Sequence, residues 1–137
     1  MAILHVEDHE ATRDVIRMAL KARGIPVISA DSVASATRAL AERSDDIAGA
    51  LVDVHLRDGS GIEFYDWLVE HHPTIAPCVA FVTGGGPLSV QANATGRLVL
   101  EKPFELGDVV RLAVDWESKS ERRAANSPEA IASSPAA

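Results

Sequence analysis

The sequence contains a single cysteine, Cys78, few aromatic residues (4%) and no long apolar run. A lone cysteine excludes a disulfide within the chain and a cysteine-based zinc site, and its apolar neighbours predict a buried, inert thiol. A membrane span needs about 20 consecutive apolar residues, and a secretory signal needs a basic segment before an apolar one. The sequence shows neither pattern, so we expect a soluble, cytoplasmic protein.

An excess of basic charge is also missing, because the formal net charge is −7. Residues 118–137 carry three basic and two acidic side chains, about +1, which leaves about −8 on residues 1–117. Nucleic-acid binding without sequence preference depends on Lys and Arg side chains that displace phosphate counterions. We therefore expect no direct nucleic-acid binding.

The length of 137 residues and the hydrophobic content of 47% fit one domain with one core.

Five short runs rich in Val, Ile and Leu predict buried strands at 2–6, 26–30, 47–52, 78–82 and 98–100. Helical spacing separates most of them. The predicted helical faces are Val15, Met18, Ala19 and Ala22; Val33, Ala36 and Leu40; Ile62, Tyr65, Leu68 and Val69; and Leu106, Val109, Val110 and Ala113. Alternating strands and helices favour a parallel sheet covered by helices on both faces. The last helix is predicted to end near Trp116, which makes 1–117 the domain and 118–137 a disordered tail.

One helix is missing from this alternation, between the fourth and fifth strands. Residues 84–96 hold four of the nine glycines, three of them consecutive, and Pro87. Glycine costs about 1 kcal/mol in a helix, and proline costs more. We predict an irregular, mobile loop with at most one short turn, so that the fourth helix is shortened or replaced. The loop is not a phosphate-binding P-loop, because no Gly-Lys-Ser or Gly-Lys-Thr follows the glycines.

Polar side chains stand where the predicted strands end: Glu7 and Asp8, Asp53, Thr83 and Lys102. The carboxyl ends of parallel strands open on one crevice, so these side chains should converge there. Carboxylates about 4 Å apart repel by roughly 4 kcal/mol per pair at an effective dielectric constant near 20, so they need a cation. Hard oxygen ligands suit Mg²⁺ better than zinc. Asp53 is then placed as a nucleophile toward a phosphoryl group, with Thr83 as a donor to its oxygens.

These motifs, in this order and spacing, resemble the receiver domain of two-component response regulators over about residues 2–117. "VED" matches the acidic pair of the family, "LVDVHLRDGSG" the phosphoacceptor strand with its glycines, "VTG" the hydroxyl position, and "EKPF" the lysine with its proline and phenylalanine. The resemblance implies a doubly wound, flavodoxin-like α/β fold with sheet order 2-1-3-4-5. It also implies a cis peptide bond between Lys102 and Pro103.

The resemblance further implies the roles of the site residues. Asp53 would accept a phosphoryl group from a phosphohistidine on a sensor histidine kinase or a histidine phosphotransfer protein. Thr83 and Lys102 would bind the phosphoryl oxygens. Mg²⁺ would be held by Glu7, Asp8, Asp53 and the backbone carbonyl of His55. The protein would be a phosphoacceptor rather than an enzyme, with at most weak self-catalysed phosphotransfer and dephosphorylation.

Two departures from the common receiver pattern indicate a subgroup. Val99 stands three positions before the lysine, where the family commonly has an aromatic switch residue, and only 19 positions separate Thr83 from Lys102. Both features, with "PCVAFVTGGG", are similar to receivers associated with HWE and HisKA2 type histidine kinases. In that pattern a proline precedes Phe-Ala-Thr-Gly-Tyr-Gly. Here Pro77 lies one residue further from the threonine, and Gly85 replaces the tyrosine.

Three functions remain open at this point. The first is a single-domain phosphoacceptor that signals through protein contacts, since we expect no output domain after residue 117. The second is a degenerate receiver that is never phosphorylated and serves as an interaction module. The third is a phosphatase or phosphotransferase with an aspartate nucleophile, which would need a second aspartate at the position that His55 occupies. The oligomeric state stays open.

Overall fold

The computed structural model describes residues 1–126. The strands are β1 (Ala2–Val6), β2 (Val27–Ala30), β3 (Ile47–Asp53), β4 (His55–Leu56), β5 (Gly59–Ser60), β6 (Val79–Thr83) and β7 (Leu98–Glu101). The helices are α1 (Glu10–Lys21), α2 (Val33–Arg43), α3 (Gly61–His71), α4 (Pro87–Ala94) and α5 (Leu106–Ala125). No helix within these residues is both long enough and apolar enough to cross a membrane.

Five strands form one parallel sheet in the order β2-β1-β3-β6-β7. This is the predicted order 2-1-3-4-5 once β4 and β5, which make a separate two-stranded hairpin, are left out of the count. The central strands β1 and β3 are buried along their whole length. Apart from His5 in β1 and the terminal Asp53 in β3 their residues are apolar, which is typical of strands covered on both faces.

The helices cover both faces of the sheet, as predicted. Ile16 and Leu20 of α1 share one core cluster with Val109 and Ala113 of α5. The opposite face has its own cluster, which takes in buried side chains from α2, α3 and α4. Cys78 is buried and free, and the Lys102–Pro103 bond is cis, as the sequence predicts.

The predicted apolar face of α1 is wrong, because a different side of the helix packs on the sheet. Val15 and Met18 are 48% and 68% exposed, whereas Ile16 and Leu20 are buried. The helix carries apolar residues on so wide an arc that two phases fit its sequence. Ile16 and Leu20 lie one turn apart, so they can pack together on the sheet. Val15 and Met18 are left on the surface beside them.

Residues 87–94 form a helix, so the predicted irregular loop is wrong there and the shortened helix is the correct alternative. The glycines lie outside α4 rather than within it: Gly85 and Gly86 precede it with φ of 101° and 87°, and Gly96 follows it with φ of 81°. Pro87 occupies the first turn, where its missing N–H is not needed and its fixed φ suits the helix. Ala92 is fully buried, so the helix gains packing energy against the core.

Helix α5 continues to Ala125, so the predicted end of this helix near Trp116 and the predicted disorder of residues 118–125 are wrong. The division into a domain and a tail stays a prediction. The buried positions Val109, Ala113, Trp116 and Ser120 recur at helical spacing, and the stripe therefore extends past the predicted end. Lys119 pairs with Asp115 one turn earlier at 2.9 Å. The rest of the predicted disordered tail, residues 127–137, lies outside the described residues.

Trp116 packs against the central strand at Gly49. A Cβ atom on Gly49 would lie 2.6 Å from two carbons of the indole ring and 2.7 Å from the carbonyl oxygen of Cys78. Contacts that short do not occur, so a side chain at position 49 would displace the indole. Glycine is thus the residue that lets α5 lie close to β3.

Candidate functional site

The predicted site residues meet at the carboxyl edge of the sheet. Glu7 and Asp8 follow β1, Asp53 ends β3, Thr83 ends β6 and Lys102 follows β7. The carboxylates of Glu7, Asp8 and Asp53 each contribute an oxygen, and these oxygens all lie within 4.8 Å of one another. The structure therefore brings together the three acidic side chains that the strand ends predict.

Lys102 is the cation of this cluster. Its Nζ lies 2.9 Å from Oδ2 of Asp53 and 3.7 Å from Oε1 of Glu7. The backbone holds it there, since Lys102 N donates to the carbonyl of Thr83 at 2.8 Å. Burial by itself would lower the pKa of Lys102, but its hydrogen bond to Asp53 and the charges of Asp53 and Glu7 raise the pKa overall. Lys102 is therefore firmly protonated.

Glu7 and Asp53 titrate as a pair. Burial, and after it the hydrogen bond with Asp53, raise the pKa of Glu7 to about 8. Burial alone would raise the pKa of Asp53 too, but its hydrogen bonds with Glu7 and Lys102 lower it overall. At neutral pH the proton thus resides on Glu7, and Asp53 is the ionised carboxylate. An ionised carboxylate is the form that can act as a nucleophile.

Both oxygens of Asp53 have a partner. Oδ2 accepts from Lys102, and Oδ1 accepts from the backbone N–H of His55 at 2.7 Å. The residue is only 5% exposed, so its carboxylate is held in one orientation. The carbonyl of His55, predicted as a metal ligand, stays a prediction.

Thr83 is buried at the end of β6, and its hydroxyl contacts the glycine segment. Its Oγ1 accepts from the N–H of Gly85 at 3.1 Å. The segment that precedes α4 is thus attached to the predicted phosphoryl-binding hydroxyl.

Three supporting residues were not predicted for these roles. Arg13 of α1 donates to the carbonyl oxygen of Glu7 at 2.8 Å. The carboxylate of Asp58 accepts from the N–H groups of Val33 and Ala34, at 2.8 and 3.0 Å, which ties the loop after Asp53 to the start of α2. A Cβ atom on Gly61 would lie 2.2 Å from the carbonyl oxygen of Asp53. Asp58 and Gly61 both stand in the quoted phosphoacceptor motif, although the partners of Asp58 lie far away in the chain, whereas the contact of Arg13 has no local sequence signal.

The acidic cluster fits a hard divalent cation. It presents carboxylate oxygens in small number, and Mg²⁺ is held in proteins by one or two carboxylates together with waters and phosphate oxygens. The raised pKa of Glu7 also indicates a place for a cation, because the single charge of Lys102 does not compensate for two buried carboxylates. A bound cation would favour the ionised form of both.

A doubly wound sheet with an acidic cluster and a lysine at its carboxyl edge defines a flavodoxin-like protein whose site lies where such folds bind ligands. The chain belongs to the response regulator receiver domain family, whose pattern it matches over residues 3–113. Receiver domains are in general phosphoacceptors of two-component systems rather than true enzymes. They receive the phosphoryl group from histidine kinases or phosphotransfer proteins and bind Mg²⁺ at an acidic pocket.

Two curated proteins and one solved structure illustrate the similarity. The chain is 32% identical over 107 residues to the response regulator protein PilR of Pseudomonas aeruginosa, covering 76% of this chain and 23% of that protein. It is 38% identical over 82 residues to a cyclic di-GMP phosphodiesterase of Thermotoga maritima, covering 60% of this chain and 20% of that protein. A receiver domain from Clostridium thermocellum superposes with a TM-score of 0.78 at 22% identity, over 89% of this chain and 98% of the other.

The chain thus spans less than a quarter of the length of either curated relative. The association with HWE and HisKA2 type kinases stays a prediction from the sequence.

Proposed function

We propose that Asp53 accepts a phosphoryl group from a phosphohistidine and that the chain passes the signal on through protein contacts. The observation that carries the proposal is the position of Asp53. Its ionised carboxylate lies 2.9 Å from Lys102 and beside the carboxylates of Glu7 and Asp8. No other aspartate of the described residues combines burial with this surrounding.

The transfer step is an exchange of one phosphorus bond for another. An oxygen of Asp53 forms a bond to phosphorus while the bond between phosphorus and the donor histidine breaks, and the released imidazole takes a proton from water. Lys102 stabilises the negative charge of the phosphoryl oxygens. Thr83 supplies a hydroxyl donor once it leaves Gly85. When bound, Mg²⁺ would be held by Glu7, Asp8, Asp53 and the His55 carbonyl and would neutralise charge on the same oxygens.

We also propose that the donor is a kinase of the HWE or HisKA2 type and that any self-catalysed phosphotransfer or dephosphorylation is weak. The sequence pattern "PCVAFVTGGG" supports the first point. Val99 supports it too, because it stands where an aromatic switch is common and lies against the core on the α4 side. Without an aromatic ring at position 99, the phosphorylation of Asp53 must be signalled to the protein surface through other residues.

The link between Thr83 and Gly85 provides such a route. Movement of Thr83 toward a phosphoryl group would break the 3.1 Å bond to the Gly85 N–H and release the segment that carries α4. We expect amide order parameters of residues 84–86 to change when a phosphoryl mimic such as beryllofluoride binds, while α4 stays helical. Unchanged amide signals throughout residues 84–94 would refute this route.

Incubation of the protein with acetyl phosphate and Mg²⁺ tests the proposed function. A phosphoacceptor gains one covalent phosphoryl group, which peptide mapping after hydride reduction should locate at Asp53. A degenerate receiver gains none, and a phosphatase releases inorganic phosphate over many turnovers. Either of the last two results would overturn the proposal. Co-incubation with phosphorylated kinases of different types then ranks the donors.

A further inference from the structure

A groove of about 600 Å³ lies at the amino edge of the sheet, at the opposite end from Asp53. It is lined by Pro77, Cys78, Lys119, Arg122, Arg123 and Asn126. Arg97, which precedes β7, reaches its rim, because Nη1 of Arg97 donates to the carbonyl of Pro77 at 2.8 Å. These seven residues are called the basic groove below. Its floor is the apolar pair Pro77 and Cys78, and its wall is the last part of α5.

The basic groove gathers positive charge in a chain whose net charge is −7. It holds four cationic side chains, and among the described residues only Lys119 has a carboxylate partner, Asp115 at 2.9 Å. These positive charges affect the pKa of Cys78 in the groove floor. Burial raises the pKa of the Cys78 thiol, while Arg123 and Lys119 act on the same pKa in the opposite direction.

The three arginines are held in place without being neutralised. Arg97 and Arg123 donate to backbone carbonyls, those of Pro77 and Thr74, and Arg122 donates to the hydroxyl of Ser118. Each guanidinium has five N–H donors, so most of them remain for another acceptor. Nε of Arg97 is buried and has no hydrogen-bond partner among the described residues. Guanidinium groups fixed in this way are suited to carboxylates, which they bind through paired hydrogen bonds.

The spacing of the cations selects the occupant. Lys119 and Arg123 are four residues apart in α5, about 6.0 Å along the helix axis. Alternate residues of an extended peptide are about 6.6 Å apart, so carboxylates at every second position can meet successive cations. A single phosphate would reach one turn only, and an open groove with an apolar floor also accommodates the backbone of a peptide. We propose that the basic groove binds an extended acidic segment of a partner protein, independently of the state of Asp53.

The test is fluorescence anisotropy of the full chain with a labelled nonapeptide, Gly-Glu-Ala-Glu-Ile-Glu-Ala-Glu-Gly. The same peptide with glutamine for every glutamate serves as the reference probe. We expect R122E/R123E to lower the affinity at least about tenfold, about 1.4 kcal/mol. R122Q/R123Q, which keeps good helix formers in α5, should lower it by a smaller factor. Circular dichroism of each variant verifies that α5 is retained.

K21E/R38E is the matched control, because it changes the net charge equally at exposed positions that have no ion pair among the described residues. It should bind the peptide like the unchanged protein, and so should D53N, whatever becomes of phosphorylation. An equal loss in K21E/R38E would show that the peptide senses net charge alone and would overturn the proposal. Binding of the glutamine peptide with equal affinity, or displacement by inorganic phosphate at equal concentration, would also overturn it.

Discussion

The two edges of the sheet differ in charge and in how that charge is held. At the carboxyl edge, Glu7 and Asp53 are 1% and 5% exposed and are attached to strand ends. At the amino edge, Lys119, Arg122 and Arg123 are long side chains on a helix surface. Chemistry at a phosphorus atom requires acceptors fixed to within a fraction of an ångström, whereas recognition of a flexible segment tolerates movement. Strand ends supply side chains in fixed positions, and helix surfaces supply side chains that can move.

The largest expected effect is at the carboxyl edge. Asp53→Asn keeps the shape of the side chain and removes the nucleophile, so labelling by acetyl phosphate should be abolished. Asp14→Asn, on the exposed surface of α1, makes the same chemical change and should label normally. Full labelling of the Asp53 variant would show that another residue accepts the phosphoryl group. The two edges would then no longer differ in the way described here.

Metal binding should also separate the two edges. Asp8→Asn removes one of three clustered carboxylates, and we expect the Mg²⁺ affinity to fall at least about tenfold, about 1.4 kcal/mol. Asp45→Asn makes the same charge change at the exposed amino edge and should leave the affinity unchanged. Calorimetric titration with Mg²⁺ measures both. Equal affinities in the two variants would remove Asp8 from the ligand set.

The buried pair predicts a pH dependence of the metal-free protein. The pKa of Glu7 is raised from 4.5 to about 8, so the native state keeps a proton that the unfolded state loses. The stability from this proton is complete below pH 4.5 and is lost as the pH rises through 8. Between pH 6.5 and 8.5 in EDTA, Tm should therefore fall, and Glu7→Gln should flatten that fall. Glu10→Gln, an exposed change, should leave the slope intact, and a slope that persists in Glu7→Gln would exclude Glu7 as its source.

The smallest effect is expected at the amino edge. Arg123→Ala removes the hydrogen bond that joins α5 to the carbonyl of Thr74, and a bond of this kind contributes about 1 kcal/mol. Amide hydrogen exchange should quicken at 118–125 and stay unchanged at 106–116. Arg111→Ala, farther from this end of the helix, is the control. Faster exchange along the whole helix would show that Arg123 supports all of α5 rather than its last two turns.

Much of the acidic site could be predicted from the sequence because each of its residues directly follows an apolar run. The strand and its terminal side chain are then one local signal, as with β3 and Asp53. The supporting contacts lack such a signal, because Asp58 binds N–H groups about 25 residues away in the chain. Their partners are set by the packing of the sheet and its helices, which no short stretch encodes.

Helices α4 and α5 show where the local signals failed. The prediction of a loop treats the glycines around Pro87 as a cost within a helix, whereas they flank α4 with positive φ, a conformation that glycine adopts readily. The sequence predicts the end of α5 near Trp116 because the residues beyond it are polar. Ser120 is nevertheless buried, since a small side chain fits where the helix approaches the sheet. Polarity alone therefore does not mark the end of a packed helix.

The contact between Gly49 and Trp116 constrains how these two positions can change in evolution. The indole occupies the volume that a methyl group at position 49 would need, so neither residue can be exchanged freely while the other is kept. Across related chains we expect alanine or a larger residue at position 49 to be accompanied by a smaller side chain at position 116 and by a shift of the Cys78 carbonyl, which would lie 2.7 Å from the same Cβ atom. A lineage that departs from this pairing would have moved α5 away from β3.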